Sequence, residues 1–315
     1  MKKILPILAL TATLAGCSQP HTEPLQPWDR SQVSIVTPTG APALGFYGFV
    51  SSSNFATNTD PSLIVGMMNA GQKDVVVLPT NAGVSAIVNK NAPYKIAATI
   101  TFGNFYVASL NNDDNGVMDA NDTILLFQKN NVPDKLFHYV YGDDFNANIY
   151  YVSAVNDVAV AVRDGYFNDE QGNKHTPNYV LTAEPSLTAL VSQNKVTKYA
   201  DIQELYRQKT DNKEIFQASV FLKNTVDSEI GNGFLDTLKE DIDAAIRNSD
   251  VLLAGMNKSE DPSTVFGVAP QMAANVLKNG NGMGLGFKKA KDNKAAIDQF
   301  LTLFNINETD EGIYF

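Results

Sequence analysis

Residues 75–88 read VVVLPTNAGVSAIV, and the fold follows from how that run changes along its length. Val75, Val76, Val77 and Leu78 form an unbroken apolar strand behind Asp74, the pattern of a strand covered on both faces. Pro79, Thr80 and Asn81 turn the chain, and a helix is expected over 82–89. Residues 178–191, NYVLTAEPSLTALV, repeat the scheme in the second half of the chain. Aligned without gaps, Val77 meets Val180, Leu78 meets Leu181, Ser85 meets Thr188, Ala86 meets Ala189 and Val88 meets Val191. Duplication of one unit gives such a likeness, and so does the common geometry of any strand, turn and helix. Either way the chain holds two similar α/β units, one per half, which points to two lobes.

The same alternation extends outward on both sides. A strand over 33–36 ends in TPTGAP, a turn that opens a helix near Ala43. A second helix is expected over 61–69, capped by Asp60 ahead of Pro61 and stopped by Gly71. Residues 94–110 read as extended structure interrupted near Gly103. Beyond a polar loop come strands over 123–127, 149–152, 179–181 and 215–222, with helices over 133–141, 157–167 and 186–193. The remainder reads as helical over 230–248, 269–277 and 288–304. Strands alternating with helices predict a mainly parallel sheet with helices on both faces.

The N-terminus carries a second specific signal. Lys2 and Lys3 precede a short apolar run over 4–14, and Leu14-Ala15-Gly16-Cys17 reads as a lipobox. A run this short does not cross a bilayer, which takes roughly 20 apolar residues, so 1–17 is expected to be a cleaved lipoprotein signal with the lipid on Cys17. Residues 18–31, rich in Pro, Gln and Thr and including His21, read as a flexible tether. Cys17 is the only cysteine, so the folded body has no disulfide and depends on its core. The formal charge is −10, from 24 basic and 34 acidic residues, and −12 once Lys2 and Lys3 leave. Such a surface repels nucleic acid.

The motifs resemble the type II solute-binding proteins of ABC importers, closest to the nitrate/sulfonate/taurine and thiamine-precursor binding group. Three segments carry the resemblance: IVTPTGAPALGFY (35–47), LIVGMMNAGQKDVVVLPTNAG (63–83), and VAVAVRDGYF with YVLTAEPSLTALV (158–167 and 179–191). Gly71 and Asp74 match the family's helix, Gly-x-x-Asp, apolar-strand signature, and Asp164-Gly165 with Glu184-Pro185 match its second-lobe counterpart. Residues 51–60 depart by being polar where many relatives have a strand, and the loop over 111–122 is longer than usual. The resemblance implies an α/β protein of two Rossmann-like lobes with a ligand cleft between them. It places lobe one at 32–104 plus 218–315 and lobe two at 105–217. It implies a monomeric, lipid-anchored subunit on the extracytoplasmic face, neither an enzyme nor dependent on a cofactor. That subunit captures a small molecule by lobe closure and delivers it to a permease and ATPase. A sensing or adhesion lipoprotein of the same fold is the alternative.

Ligands of open α/β sheets bind beyond the carboxyl ends of the strands. Here those ends are 37–41, 79–81, 101–104 and 182–186. Helix starts offer backbone N–H groups there. The expected contact set is Thr39, Gly40, Ala41, Thr80, Asn81, Phe102, Asn104 and Glu184. Phe46, Tyr47, Phe105 and Tyr106 join Phe102 as a candidate apolar wall. Glu184 either faces the cleft, favouring an amine or N–H on the ligand, or caps a helix beside Pro185. The arginines Arg30, Arg163, Arg207 and Arg247 all lie outside these loops, which disfavours a strongly anionic ligand and favours a heterocyclic or aromatic compound over nitrate, the expected solute being a heterocyclic or aromatic vitamin precursor or a sulfonate-like compound.

Residues 111–122 resemble a calcium loop, with Asn111, Asp113, Asn115, Asp119 and Asp122 at ligand positions and Gly116 at the turn. Asn at the first position and Asp at the twelfth weaken the match, and a solvated acidic loop is the favoured reading. Residues 279–286 are glycine-rich without phosphate-loop spacing and read as a connection before the last helix. His138 and His175 are the histidines of the folded body, and no catalytic motif surrounds them. Asp143-Asp144 reads as a turn.

Overall fold

The architecture is seen in a computed structural model that describes residues 28–110, 118–142, 147–280 and 282–315. The lipobox with Cys17, most of the tether, Asp143-Asp144, and Asn111, Asp113 and Asn115 lie outside the described residues. The first half runs β1 (Ile35–Pro38), α1 (Ala41–Leu44), β2 (Phe55–Asn58), α2 (Pro61–Asn69), β3 (Val75–Pro79), α3 (Thr80–Lys90) and β4 (Tyr94–Phe102). The middle runs β5 (Tyr106–Leu110), β6 (Thr123–Phe127), α4 (Val132–Tyr141), β7 (Asn148–Val152) and α5 (Val155–Asp164). A small hairpin of β8 (Phe167–Asn168) and β9 (Lys174–His175) leads to β10 (Tyr179–Thr182), α6 (Ser186–Ser192), β11 (Val196–Asp201) and α7 (Ile202–Lys209). The chain then returns through β12 (Phe216–Lys223), α8 (Ser228–Arg247), α9 (Ser249–Met256), α10 (Pro262–Phe266), α11 (Pro270–Lys278), β13 (Leu285–Lys289) and α12 (Lys294–Leu301).

The larger strands form two sheets, ordered β13-β4-β12-β3-β1-β2 and β11-β5-β10-β6-β7. Both are mixed, which corrects the expectation of a mainly parallel sheet. In the first, β1 pairs in parallel with β2 and β3, while β12 runs antiparallel to β3 and β4. In the second, β6 pairs in parallel with β7 and β10, while β5 runs antiparallel to β10 and β11. The reason is the connectivity: β5 and β12 each arrive from the other lobe and therefore enter their sheet against its direction.

Setting β13 aside, the two sheets have one topology. β3 and β10 occupy equivalent places, and the register keeps the gapless alignment read from sequence. Leu78 pairs with Ser219 on β12, and Leu181 pairs with Val107 on β5. Val77 pairs with Val220, and Val180 with Ala108.

The unbroken apolar run of β3 feeds two cores. Val75 and Val77 pack with Phe46, Phe49, Phe234 and Ile242, under α8 and α9. Val76 and Leu78 join Ile64, Met68, Val84 and Ile87, a cluster that continues into the second sheet through Val107, Leu125 and Val180. Full burial of each such side chain stabilises by about 1.5–3 kcal/mol.

Several local expectations change. Residues 55–58, inside the polar segment 51–60, do form a strand, because β2 is an edge strand with partly exposed faces and needs no apolar run. The helix expected over 157–167 stops at Asp164, and Phe167 belongs to the hairpin. The helix expected over 288–304 begins as β13, so the glycine-rich segment leads into a strand that pairs with β4. β11 and α7 were not read from the sequence. The tether is docked from Trp28 onward: Trp28 packs on Phe49 and Phe234 at ring centroids 6.4 and 6.0 Å, and Arg30 pairs with Asp241.

Candidate functional site

Three residues, Gly103 to Phe105, carry the chain from the end of β4 to the start of β5. The carboxyl ends of β1, β2 and β3 lie at the same edge as that of β4. Those of β6, β7, β10 and β11 lie at the edge where β5 starts. The two edges therefore meet across the crossover, and the space between them is the cleft.

The second crossover, 202–215, runs beside the first. Gly103 N–H donates to Ile215 O at 3.3 Å, and Ile202 N–H donates to Phe105 O at 3.0 Å. Gln203, buried, clamps the return: its Oε1 accepts from Ile215 N–H at 2.9 Å and its Nε2 donates to Lys213 O at 3.3 Å. Gly103 sits at φ +59°, and a Cβ there would lie 2.8 Å from the Gln203 Cβ, so this linkage requires glycine. A cavity of about 320 Å³ beside the crossovers is lined by Phe102, Asn104, Tyr106, Asp201, Arg207 and Lys288, among others. Burial pushes the Asp201 carboxyl up and the Tyr106 phenol well above its usual range.

Several of the expected contact residues are engaged within the protein. Thr80, fully buried, hydrogen-bonds Ser219 at 2.7 Å, and Ser219 hydrogen-bonds Thr99 at 2.8 Å, so its hydroxyl is used inside the sheet. Asn104 holds the backbone of Glu184: its Oδ1 accepts from Glu184 N–H at 2.9 Å, and its Nδ2 donates to Glu184 O at 3.4 Å. The Glu184 carboxylate accepts from Thr188 N–H at 3.1 Å and from the Thr188 hydroxyl at 3.0 Å, the capping arrangement. The N–H groups of Thr39 and Gly40 donate to Asn58 O at 3.1 Å and Phe266 O at 2.8 Å.

Other polar atoms at the strand ends are buried yet make no hydrogen bond within the protein, and Asn81 is the expected contact among them. They are Asn81 Oδ1, Thr101 Oγ1, Thr182 Oγ1 and Gln217 Oε1. Asn81 follows β3, Thr101 is near the end of β4, Thr182 ends β10 and Gln217 is near the start of β12. All four lie at the facing edges. A buried polar group without a partner costs about 1–3 kcal/mol, and these four stand at the strand ends that face each other.

The aromatics separate likewise. Phe46 is fully buried in the first core, stacked on Phe55 and Phe234, and the Tyr47 hydroxyl donates to Asp241 O at 2.9 Å. Phe105 packs on Phe127. Phe102 is half-buried against Phe216 at the crossover. Gln217 was missed in the sequence, although a Gln two residues before Ser219 in an otherwise apolar strand is a signal of a polar strand end. Of the calcium-like loop, Asp119 and Asp122 are described, and Asp122 Oδ2 accepts from Asp119 N–H at 2.7 Å as an ordinary turn does. Among the described residues no group of three or more metal-ligating side chains comes together.

Comparison with solved structures decides the fold. An ABC transporter protein from Parabacteroides distasonis superposes with a TM-score of 0.67 at 16% identity, covering 87% of this chain and 92% of its own. A conserved Candida albicans protein, described as having the generic periplasmic binding protein fold, matches with a TM-score of 0.55 at 11% identity, over 89% and 92%. The chain has the periplasmic binding protein fold. A third bearer of this fold, the periplasmic aliphatic sulphonate binding protein SsuA from Escherichia coli, matches with a TM-score of 0.59 at 13% identity, over 86% and 90%. No protein-family model and no curated protein matches the chain. No helix among the described residues is long and apolar enough to cross a membrane.

Proposed function

We propose that this protein captures a small solute in the cleft, closes its two lobes over it, and delivers it to the permease and ATPase of an ABC importer. The convergence of Asn81, Thr101, Thr182 and Gln217 on the facing strand ends carries the reading, because such unpaired atoms call for a polar ligand. Sulfonate-binding and import proteins among the structural neighbours support the transport side. Lobe one comprises 32–104 plus 218–315 and lobe two 105–217, with bending at the two crossovers. Thr39, Gly40, Ala41, Asn81 and Phe102 contact the solute, and Thr80, Asn104 and Glu184 hold the wall in place. The lipobox at Cys17 anchors the protein to the extracytoplasmic face of a membrane. The solute is a heterocyclic or aromatic compound of the vitamin-precursor kind, or a sulfonate.

The test is a thermal-shift screen of the body 18–315 against vitamins and their precursors, sulfonates, nitrate and amino acids, with and without calcium. A ligand at a hundredfold excess over Kd stabilises by about 2.7 kcal/mol. The expected outcome is a selective rise in midpoint with one compound class. The absence of any rise across the panel would contradict solute capture.

A further inference from the structure

We infer that residues 28–31 are a strap that ends the N-terminal tether on lobe one and braces the turn behind the loop 39–41, which makes Trp28 and Arg30 positioning residues for that loop. That 39–41 meets the solute rests on the function proposed above, whereas the brace is a property of the free protein.

The strap is fastened by several independent contacts. Trp28 meets Phe49 at 6.4 Å and Phe234, edge-on, at 6.0 Å between ring centroids. Those two rings are fully buried while Trp28 is half-buried, so the indole is the cover over them. Arg30 grips Asp241 of α8 with both ends of its fork: Nη1 donates to Oδ2, and Nη2 donates to Oδ1 at 2.9 Å. A bidentate pair of this kind fixes orientation as well as adding energy. The same guanidinium lies 4.7 Å from the Phe49 ring centroid. Asp29 closes the segment into a turn by accepting from the Ser31 N–H and hydroxyl at 2.9 and 2.7 Å, and Asn54 Nδ2 donates to Ser31 O at 2.7 Å. The seat is cleared of side chains. A Cβ on Gly48 would lie 2.7 Å from Arg30 Nη1, and one on Gly233 would lie 2.7 Å from Trp28 Nε1. The tether expected over 18–31 therefore stops at residue 27.

What the strap holds is the turn that follows the loop. Residues 39–41 run into α1, which is four residues long and has no stability of its own at that length. A chain of backbone bonds carries the loop onward: Ala43 N–H donates to Gly40 O at 3.0 Å, Phe46 N–H to Ala43 O at 2.9 Å, and Phe49 N–H to Phe46 O at 2.8 Å. The position of this short path is set from outside, through its aromatic side chains. Phe46 stacks on Phe234 at 6.4 Å, and Phe49 meets Phe234 edge-on at 5.8 Å. The Tyr47 hydroxyl donates to Asp241 O at 2.9 Å. Asp241 thus receives the turn through its backbone and the strap through its carboxylate, and Trp28 and Arg30 both rest on Phe49. Without the strap, one side of Phe49 and of Phe234 faces water, and the turn behind the loop loses its outer support.

Trp28 is the sole tryptophan, so its emission in the body 18–315 reports the strap directly. The docked indole should emit at short wavelength and resist quenching by acrylamide. Arg30→Ala should move both properties toward those of the urea-unfolded chain. Hydrogen–deuterium exchange without solute tests the brace. In Trp28→Ala and in Arg30→Ala, the amides of 43–49 should exchange about tenfold faster or more, while those of β10 in the other lobe keep the parent's rates. Trp28→Phe keeps a ring over Phe49 and Phe234 and should stay near the parent. Should Trp28→Ala fail to fold, the emission and the exchange of Arg30→Ala decide. Parent emission like that of a solvent-exposed indole would overturn the strap. Exchange raised no more at 43–49 than in β3 would show that the strap stabilises lobe one as a whole without bracing the loop, which overturns the positioning role. Solute capture stands or falls separately, on the ligand panel.

Discussion

Asp74 accepts hydrogen bonds from Ser34 N–H at 2.8 Å and the Ser34 hydroxyl at 2.7 Å, while its own N–H donates to Ser34 O at 3.0 Å. One carboxylate thus fixes the start of β3 against the residue before β1, which explains an Asp ahead of the apolar run. Asp74→Ala leaves Ser34 N–H without that acceptor and is expected to cost about 1–3 kcal/mol in urea unfolding. Leu78→Ala, in the second core, is expected to cost about 2–5 kcal/mol with the cleft residues untouched. Asp169 gives a pH signature. His175 Nε2 lies 2.9 Å from its Oδ2, and that contact, with bonds from Asn173 and Gln171, holds the carboxyl down at about 2, from 3.8. A depressed folded value means the contribution is present above about 3.8 and is lost as the pH falls through about 2. Amide exchange in 167–175 should accelerate over that window while β3 remains protected. Equal acceleration in Asp169→Asn and parent would contradict the assignment.

At the level of elements, two changes near the crossovers should differ sharply. Gly284, at φ +69°, precedes β13, and a Cβ there would lie 2.1 Å from the Phe102 carbonyl oxygen. Gly284→Ala is expected to cost about 1–3 kcal/mol from backbone strain alone and to loosen β13 from β4. Glu214, by contrast, joins Lys288 of β13 to Arg207 of α7 through part-exposed ion pairs. Glu214→Gln should cost less than about 1 kcal/mol, since exposed pairs contribute little. Melting curves of the two variants check the order.

The same comparison shows what a sequence reveals of elements. β3, α2 and β6 were legible because an unbroken apolar run, an Asp-Pro start and a flanked Thr-Ile-Leu-Leu-Phe run each carry their own signal. β2, β11 and β13 were not. They owe their strands to neighbours that supply the hydrogen bonds, and their residues are polar or glycine-containing. Part of the site was legible by rule, since three of the four unpaired atoms lie in the strand ends singled out beforehand. The rest depended on long-range pairing: the engagement of Thr80 by Ser219 and the bulge at Gln217 exist only once β12 returns from the other lobe.

For the whole molecule, 75–88 and 178–191 occupy equivalent places in two sheets that share one topology once β13 is set aside. Each lobe presents the carboxyl edge of one sheet, and the crossovers at 103–105 and 202–215 are the covalent links between them. A solute held between edges must therefore touch both lobes. The most direct test is hydrogen–deuterium exchange of the body 18–315 with and without the compound that most raises its melting midpoint. The account predicts added protection at 39–41, 80–82, 101–105, 182–186 and 216–218 together, on both lobes and at the crossovers. Protection confined to one lobe, or centred away from these strand ends, would contradict capture by lobe closure.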